Sequence, residues 1–528
     1  MATTTNLEIK LEIISKPKVA FDVQGFEGRE YISKPYQYLI YATTSETFAP
    51  DTVLNERVKL TVTTACGTWV TSGIVMNIEE RDPTPTELRV LVFTLSPRFA
   101  ITQLTGENRV FGPAKEMSVD EIIKQEIKGA AISVPDSYNL EKYPKRKYVV
   151  QYNESDFTFI SRLAEHVGIF YFFKQEASGE TIVFGDKNTA FPKVDFNDKT
   201  GLVSAKSGDA DDKAGGDGKK AEKNPSISYS HPKDANLPRA VDEAAVLSFC
   251  ARGQAVSKTV ALRDYNEVTP KIVSGTKDAG TATGFLGTIR NFGEHFADDN
   301  GGTLLATVRA QELAASRVVF VGETDAPELR AGMIFEIKGH PSFNGEYLIT
   351  SVQHSASRPA PTGFKALPGA GRAYRNTITC IDANVEFRPA RVTPRPQAMG
   401  LHTAKVDGAT WNGRAEIDGE GRYKVQMMFP DGTYGKAKGS DYFRQIQPYY
   451  GPNKTGLYFP LVAGTEVLLG YINGDIDRPI IIGAASNPDP DWDNLVNDGS
   501  NVYNRIKSQS GTMVEIFDGP AAATTTTT

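Results

Sequence analysis

The chain has 528 residues, with 58 Lys and Arg against 64 Asp and Glu, and is 40% hydrophobic and 23% charged. That length suits three or four domains of roughly 150 residues each, and the composition is that of a soluble globular protein. The net charge of −6 provides no overall basic footprint for nucleic acid, and no apolar run reaches the roughly 18 residues that a membrane-spanning helix needs.

The N-terminal MATTTNLEIKLEIISK lacks a basic start and a continuous apolar core, so no secretory leader is expected and synthesis is placed in the cytoplasm. Over residues 1–100, EIKLEIIS, YQYLIYAT, ERVKLTVTT and LRVLVFTLS alternate or run apolar between turn residues and predict strands. A linking module follows at 101–147. Within it MSVDEIIKQEIKG predicts a helix capped by Ser118 with Glu121 three residues on, an apolar side of Ile122, Ile123 and Ile127, and an end at Gly129.

A second β-rich region spans 148–386. Inside it, residues 204–226 mix Gly, Ala, Asp and Lys and predict a mobile surface insertion. Residues 301–317, GGTLLATVRAQELAASR, predict one further helix. The connector FRPARVTPRPQAMG (387–400), with Pro389, Pro394 and Pro396, predicts an extended, semi-rigid link at a domain boundary. Residues 401–490 are again strand-rich, and 491–528 form a short polar and β-type end. Cys66, Cys250 and Cys380 lie far apart beside β-type residues, which fits buried thiols in a reducing compartment and neither a disulfide framework nor a zinc cluster. The class is mainly β with small helical insertions.

The stretch YVVQYNESDFTFISRLAEHVGIFYFF (148–173) gathers Glu154, Asp156, Ser161, Glu165 and His166, the material of a hydrolase site. On a helical wheel, however, Phe157, Phe159, Ile160, Leu163, Ala164 and Val167 fill one arc of roughly 160°, and Thr158, Ser161, Arg162, Glu165 and His166 the other. Asn153 is the expected N-cap, Glu154 and Asp156 suit the first turn, Gly168 the stop, and Arg162 is spaced to pair with Glu165. Ser161 and His166, five residues apart, point about 140° away from each other, so no local triad forms. His231, His295, His340, His354 and His402 show no metal-binding spacing, and no nucleophile elbow, phosphate loop or dinucleotide fingerprint appears. No catalytic residue, cofactor or metal site is expected. Tyr442, Phe443, Tyr449 and Tyr450 are the aromatic residues that a nucleic-acid-binding barrel would use for stacking, and core or subunit packing is the reading preferred for them.

The same stretch closely resembles the signature of VgrG-type spike proteins, which are related to baseplate hub and needle proteins of contractile-tailed phages and extracellular injection systems. Gln151, Tyr152, Glu154, Ser155, Asp156, Phe159, Arg162, Leu163, Glu165, Gly168, Ile169, Tyr171 and Phe173 carry it. A second, separate match lies in LYFPLVAGTEVLLGYINGDIDRPIIIG (457–483), which resembles the family's OB-fold signature through Pro460, Gly464, Glu466, Val467, Gly474, Asp475, Asp477, Arg478, Pro479 and Gly483. There Asn473-Gly474 is a hairpin-turn dipeptide, and Asp475 and Asp477 lack the further oxygen ligands of a calcium site. GRYKVQMMFPDG supplies strands ending at an Asp431-Gly432 turn, and NRIKSQSGTMVEIFDG resembles the start of the family's needle.

The resemblance implies barrel-like hub domains at 1–100 and 148–386, an OB-fold at 401–490 and a short β-prism needle or tip at 491–528. It implies a homotrimer with no enzymatic activity. The hub would meet a hexameric inner-tube protein and baseplate proteins, and the C-terminal end a PAAR-type tip protein or effector. No nucleic acid is implied, and the target membrane would be contacted only during injection. With only 28 residues after position 500 and no long valine–glycine repeat, the chain points to a short-needle phage-like or extracellular system. No lysozyme-like or effector module is visible. A tail-associated cell-wall hydrolase and an OB-fold nucleic-acid binder are the alternative readings.

Overall fold

The computed structural model describes residues 7–16, 19–84, 87–129, 140–198, 224–230, 243–358, 374–408, 413–432, 434–486 and 502–519. The N-terminal alternation forms six strands: β1 (Glu8–Ile13), β2 (Asp22–Tyr31), β3 (Lys34–Thr44), β4 (Arg57–Thr63), β5 (Thr68–Arg81) and β6 (Arg89–Ser96). They are ordered β1-β4-β5-β6-β3-β2, with every neighbour antiparallel. Side chains alternate across this sheet: Ile9, Leu11 and Ile13 of β1 are buried while Glu8, Lys10 and Glu12 are exposed. Trp69 stacks on Phe26 at 5.7 Å between ring centres. Gly28 lies opposite Tyr38, and a Cβ there would come within 1.9 Å of the tyrosine ring, so this strand position requires glycine.

Next come β7 (Arg109–Phe111), α1 (Val119–Gly129), β8 (Val149–Gln151) and α2 (Asp156–Val167). In α1 the Ser118 amide donates to the Glu121 carboxylate at 2.9 Å, one half of a capping box, and Ile122, Ile123 and Ile127 are buried. β9 (Phe170–Glu176) and β10 (Gly179–Gly185) make a hairpin. They are followed by β11 (Ser226–Tyr229), β12 (Ala245–Gly253), β13 (Val256–Asn266), β14 (Lys271–Asp278), β15 (Phe285–Phe292), α3 (Asp299–Arg317), β16 (Val318–Thr324), β17 (Ile334–Lys338), β18 (Gly345–Ser357) and β19 (Arg375–Asp382).

The two expected hub regions share one twelve-stranded sheet, because β18 runs antiparallel to β2 with Ser351 opposite Tyr31 and Ser357 opposite Gly25. β18 also pairs with both β17 and β19, so β18-β17-β11-β12-β16-β19 returns on itself as a barrel. Phe335, Ile349, Val352, Ile378 and Cys380 fill its core. β14-β13-β15 form a separate sheet. Of the expected insertion 204–226, residues 204–223 lie outside the described residues and Ser226 already belongs to β11. Cys66 and Cys380 are buried as expected, but Cys250 is exposed, because it alternates outward from its buried neighbour Phe249 on β12.

The C-terminal part holds β20 (His402–Val406), β21 (Val425–Met427), the short pair β22 (Tyr450–Gly451) and β23 (Thr455–Gly456), β24 (Glu466–Tyr471) and β25 (Pro479–Ala484). Its sheet is ordered β21-β20-β24-β25 around Val406, Tyr423, Val425, Phe443, Val467 and Ile481. A last hairpin pairs β26 (Tyr503–Lys507) with β27 (Met513–Phe517). Two compact units result. The first is Met1–Gly106, Met117–Lys145 and Asn153–Arg395; the second is Glu107–Glu116, Arg146–Tyr152 and Pro396–Thr528. The paired β7 and β8 therefore belong to the C-terminal unit, and the expected connector is divided at Arg395. Among the described residues no helix is long and apolar enough to cross a membrane.

Candidate functional site

The VgrG-like stretch is divided by the fold: Gln151 and Tyr152 belong to the second unit, and Asn153 onward to the first. In the first unit Ser155, rather than Asn153, caps α2, accepting from the Thr158 amide at 3.2 Å. Asn153 instead takes a left-handed turn conformation. Gly168 closes the helix at φ 82°, a conformation that favours glycine. Phe159 and Leu163 are buried as the wheel predicts.

The opposite arc is not wet. Ser161, Arg162, Glu165 and His166 are only 4–6% exposed. Each charged group there has a specific partner. The Arg162 guanidinium clasps the Glu154 carboxylate, so the expected pairing with Glu165 is replaced by one eight residues away. Asp156 accepts from the Thr105 hydroxyl at 2.6 Å. The Glu165 carboxylate receives the Val392 amide at 3.0 Å, the Thr393 amide at 2.8 Å and the Thr393 hydroxyl at 2.8 Å.

His166 turns its Nε2 to the Glu294 backbone oxygen at 3.1 Å and lies 3.6 Å from that residue's carboxylate. Arg391 and Arg395 reach the same carboxylate at 2.7 and 3.3 Å. Burial pushes the Glu294 carboxyl up, but His166, Arg391 and Arg395 together pull it well below the usual carboxylate range. The imidazole is thus engaged with Glu294.

A second buried charge cluster lies where β2 and β5 meet the segment before β17. Arg330 donates to Glu30 and to the Thr71 hydroxyl, each at 3.1 Å, and its guanidinium lies 4.9 Å from the Trp69 ring centre. The Tyr38 hydroxyl donates to Glu30 at 2.5 Å. His354 is 2.7 Å from the Tyr374 hydroxyl, and burial pushes its imidazole down to about 4. Nothing in the spacing of these residues along the chain marks them as neighbours.

In the second unit, Asn473 (φ 58°) and Gly474 (φ 71°) are consecutive left-handed residues that turn β24 into β25. Asp475 accepts from the Asp477 amide at 3.1 Å, and Asp477 from the Val150 amide at 2.7 Å, which ties the turn to β8. The Arg478 amide donates to the Asp475 carbonyl at 2.9 Å. Gly464 (φ 92°) donates to Val406, Glu466 starts β24 opposite Lys405, and Pro479 starts β25 opposite Tyr471. Pro460 lies just before this hairpin and is exposed. Tyr152 packs beside His402, whose ring lies 3.1 Å from the Tyr152 hydroxyl and 2.7 Å from that of Tyr471. Gln151 is fully buried in β8.

Asp431 is bonded in both directions to Asn108, through its amide and its carboxylate. Of the four aromatic residues considered as stackers, Phe443 lies in the core, Tyr442 donates to Glu416, and Tyr449 and Tyr450 are exposed.

The chain thus joins a unit built on a twelve-stranded sheet to a smaller unit built on a four-stranded one. The phage tail baseplate hub (GPD) family matches residues 29–218 and 210–360, and the type VI secretion system/phage-baseplate injector OB domain matches 415–485. The chain belongs to the phage tail baseplate hub family. Its sequence is similar to the type VI secretion system spike protein VgrG5 of Pseudomonas aeruginosa, 26% identical over 497 residues, covering 91% of this chain and 57% of that one. It is also similar to the actin cross-linking toxin VgrG1 of Vibrio cholerae, 25% identical over 395 residues, covering 74% of this chain and 32% of the toxin. The chain thus spans little more than half the length of VgrG5 and a third of the toxin. The fold is similar to that of the E. coli c3393 protein, a type VI secretion component with structural similarity to T4 tail proteins gp27 and gp5. The TM-score is 0.58 at 22% identity, covering 90% of this chain and all of that one.

Proposed function

We propose that the chain is the spike of a contractile injection machine: a central hub and puncturing needle that joins the inner tube to a tip protein. The observation that carries this is the order of the matches, a hub domain over 29–360 followed by an injector OB domain over 415–485 in a single polypeptide. The work is mechanical, and the ion-paired residues of α2 serve rigidity rather than turnover.

The spike is a homotrimer in this reading, and the last hairpin supports it. Tyr503, Ile506, Met513, Val514, Ile516 and Phe517 are 37–57% exposed. Register places Tyr503, Met513 and Phe517 on one face of the ribbon and Ile506, Val514 and Ile516 on the other. A two-stranded ribbon with apolar side chains on both faces is marginal alone, and winding three copies together covers both. The hub would then meet a hexameric inner-tube protein and baseplate proteins, and the C-terminal end a PAAR-type tip protein or effector. The protein would be made in the cytoplasm and leave the cell within the particle, touching the target membrane only during injection. Electron microscopy of the purified chain tests this: a tapered particle with threefold symmetry is expected, and a compact single-chain particle would contradict it.

A further inference from the structure

Residues 387–395 have the composition of an extended link, yet the structure ties them down at nearly every step. Phe387 packs on Phe170 and Phe191. Arg388 donates to the Gly168 carbonyl at 3.0 Å, at the C-terminus of α2, and to Gln311 of α3 at 2.8 Å. The Arg391 amide donates to Glu312 of α3 at 3.1 Å. The next two amides and the Thr393 hydroxyl all converge on the Glu165 carboxylate of α2. Arg391 and Arg395 both close on Glu294, and Arg395 also donates to the Gly293 carbonyl at 3.2 Å.

Successive amides converging on one carboxylate make a charge-assisted grip whose donors belong to the backbone and cannot rotate away. The segment nevertheless lies at the surface: Val392 is 66% exposed. It is therefore held by directed bonds to carboxylates more than by burial.

We infer that Glu165 and Glu294 form a latch that holds residues 388–395 on α2 and α3. Tension entering the first unit through Pro396 is then taken up by a helix pair and does not unravel the connector. Unlatched, the eight residues form a free tether whose full reach is about 27 Å, at roughly 3.4 Å each. The latch is a property of these side chains; only its mechanical purpose rests on the spike reading.

Trypsin supplies the test. Of the three arginines in the strap, Arg388 and Arg395 precede proline, so Arg391–Val392 is its one readily cut bond. Cleavage requires local opening, and its rate follows the population of the open form. In the full chain this bond should resist trypsin. It should be cut at least tenfold faster in Glu165→Ala/Glu294→Ala, and faster to a smaller degree in Glu165→Gln, which keeps the side-chain shape while removing its charge. Amide exchange at Val392 and Thr393 should rise in parallel while α2 stays protected. Unchanged cleavage in both variants, or prompt cleavage of the unaltered chain at Arg391, would overturn the latch. If the double variant loses the unfolding transition of the whole chain, Glu165→Gln and Thr393→Val decide the matter. Neither result depends on whether the chain is trimeric, so failure of the latch and failure of the spike reading are told apart.

Discussion

Glu154 and Arg162 stand eight residues apart, one outside α2 and one inside it, and meet through hydrogen bonds of 3.0, 2.9 and 2.7 Å with both side chains nearly sealed from solvent at 6% and 5% exposure. This pair fixes how the chain enters the helix. Breaking a buried pair leaves an uncompensated charge, so Glu154→Ala should lower stability by about 3–5 kcal/mol, whereas Glu154→Leu/Arg162→Met should lose less. Urea unfolding of the three proteins side by side checks the ranking.

Phe159 and Leu163 are buried at 0% and 2% exposure, so truncating either to Ala should cost about 2–5 kcal/mol. Because the polar arc is buried too, His166→Ala should also destabilise, by about 1–3 kcal/mol, since it strips a hydrogen-bond partner from Glu294. Thermal unfolding of the two classes of variant checks this. An unchanged transition for His166→Ala would contradict this packing role.

His354 is fully buried, and burial holds its imidazole at about 4 in the folded state. The unfolded chain, with an ordinary value near 6.5, binds the proton first as pH falls. The group's contribution is therefore complete above about pH 6.5 and is lost progressively between about 6.5 and 4, by about 3 kcal/mol in all. His354→Gln should flatten that part of the stability profile relative to the parent chain. Parallel profiles would contradict the assignment.

In the second unit, Asp477 accepts the Val150 amide at 2.7 Å and holds β8 to the β24–β25 turn. Asp477→Ala should cost about 1.5–3 kcal/mol, the range for hydrogen bonds to charged groups. Faster amide exchange in β8, with the β20–β24 pairing still protected, is the expected signature.

Features specified by neighbouring residues were legible in the sequence. The Ser118–Glu121 cap, the Asn473-Gly474 turn and the apolar arc of α2 are set by short-range geometry. What depends on chain closure was not. Gly25–Tyr31 pairs with Ser351–Ser357 across more than three hundred residues, and no periodicity announces that partnership. The burial of the polar arc of α2 is equally non-local. Its cover comes from Glu294 and the 387–395 strap, and the arginines at 388, 391 and 395 were the one available hint that carboxylates waited elsewhere. The assignment of Glu107–Glu116 and Arg146–Tyr152 to the C-terminal unit was likewise invisible, since β7 and β8 are three residues each.

The central claim is a spike built from three copies, and the mass of the full chain in solution by light scattering tests it most directly. At micromolar concentration a single species of three times the chain's 57.5 kDa is expected. A species of one chain mass, unchanged on raising the concentration, would contradict it.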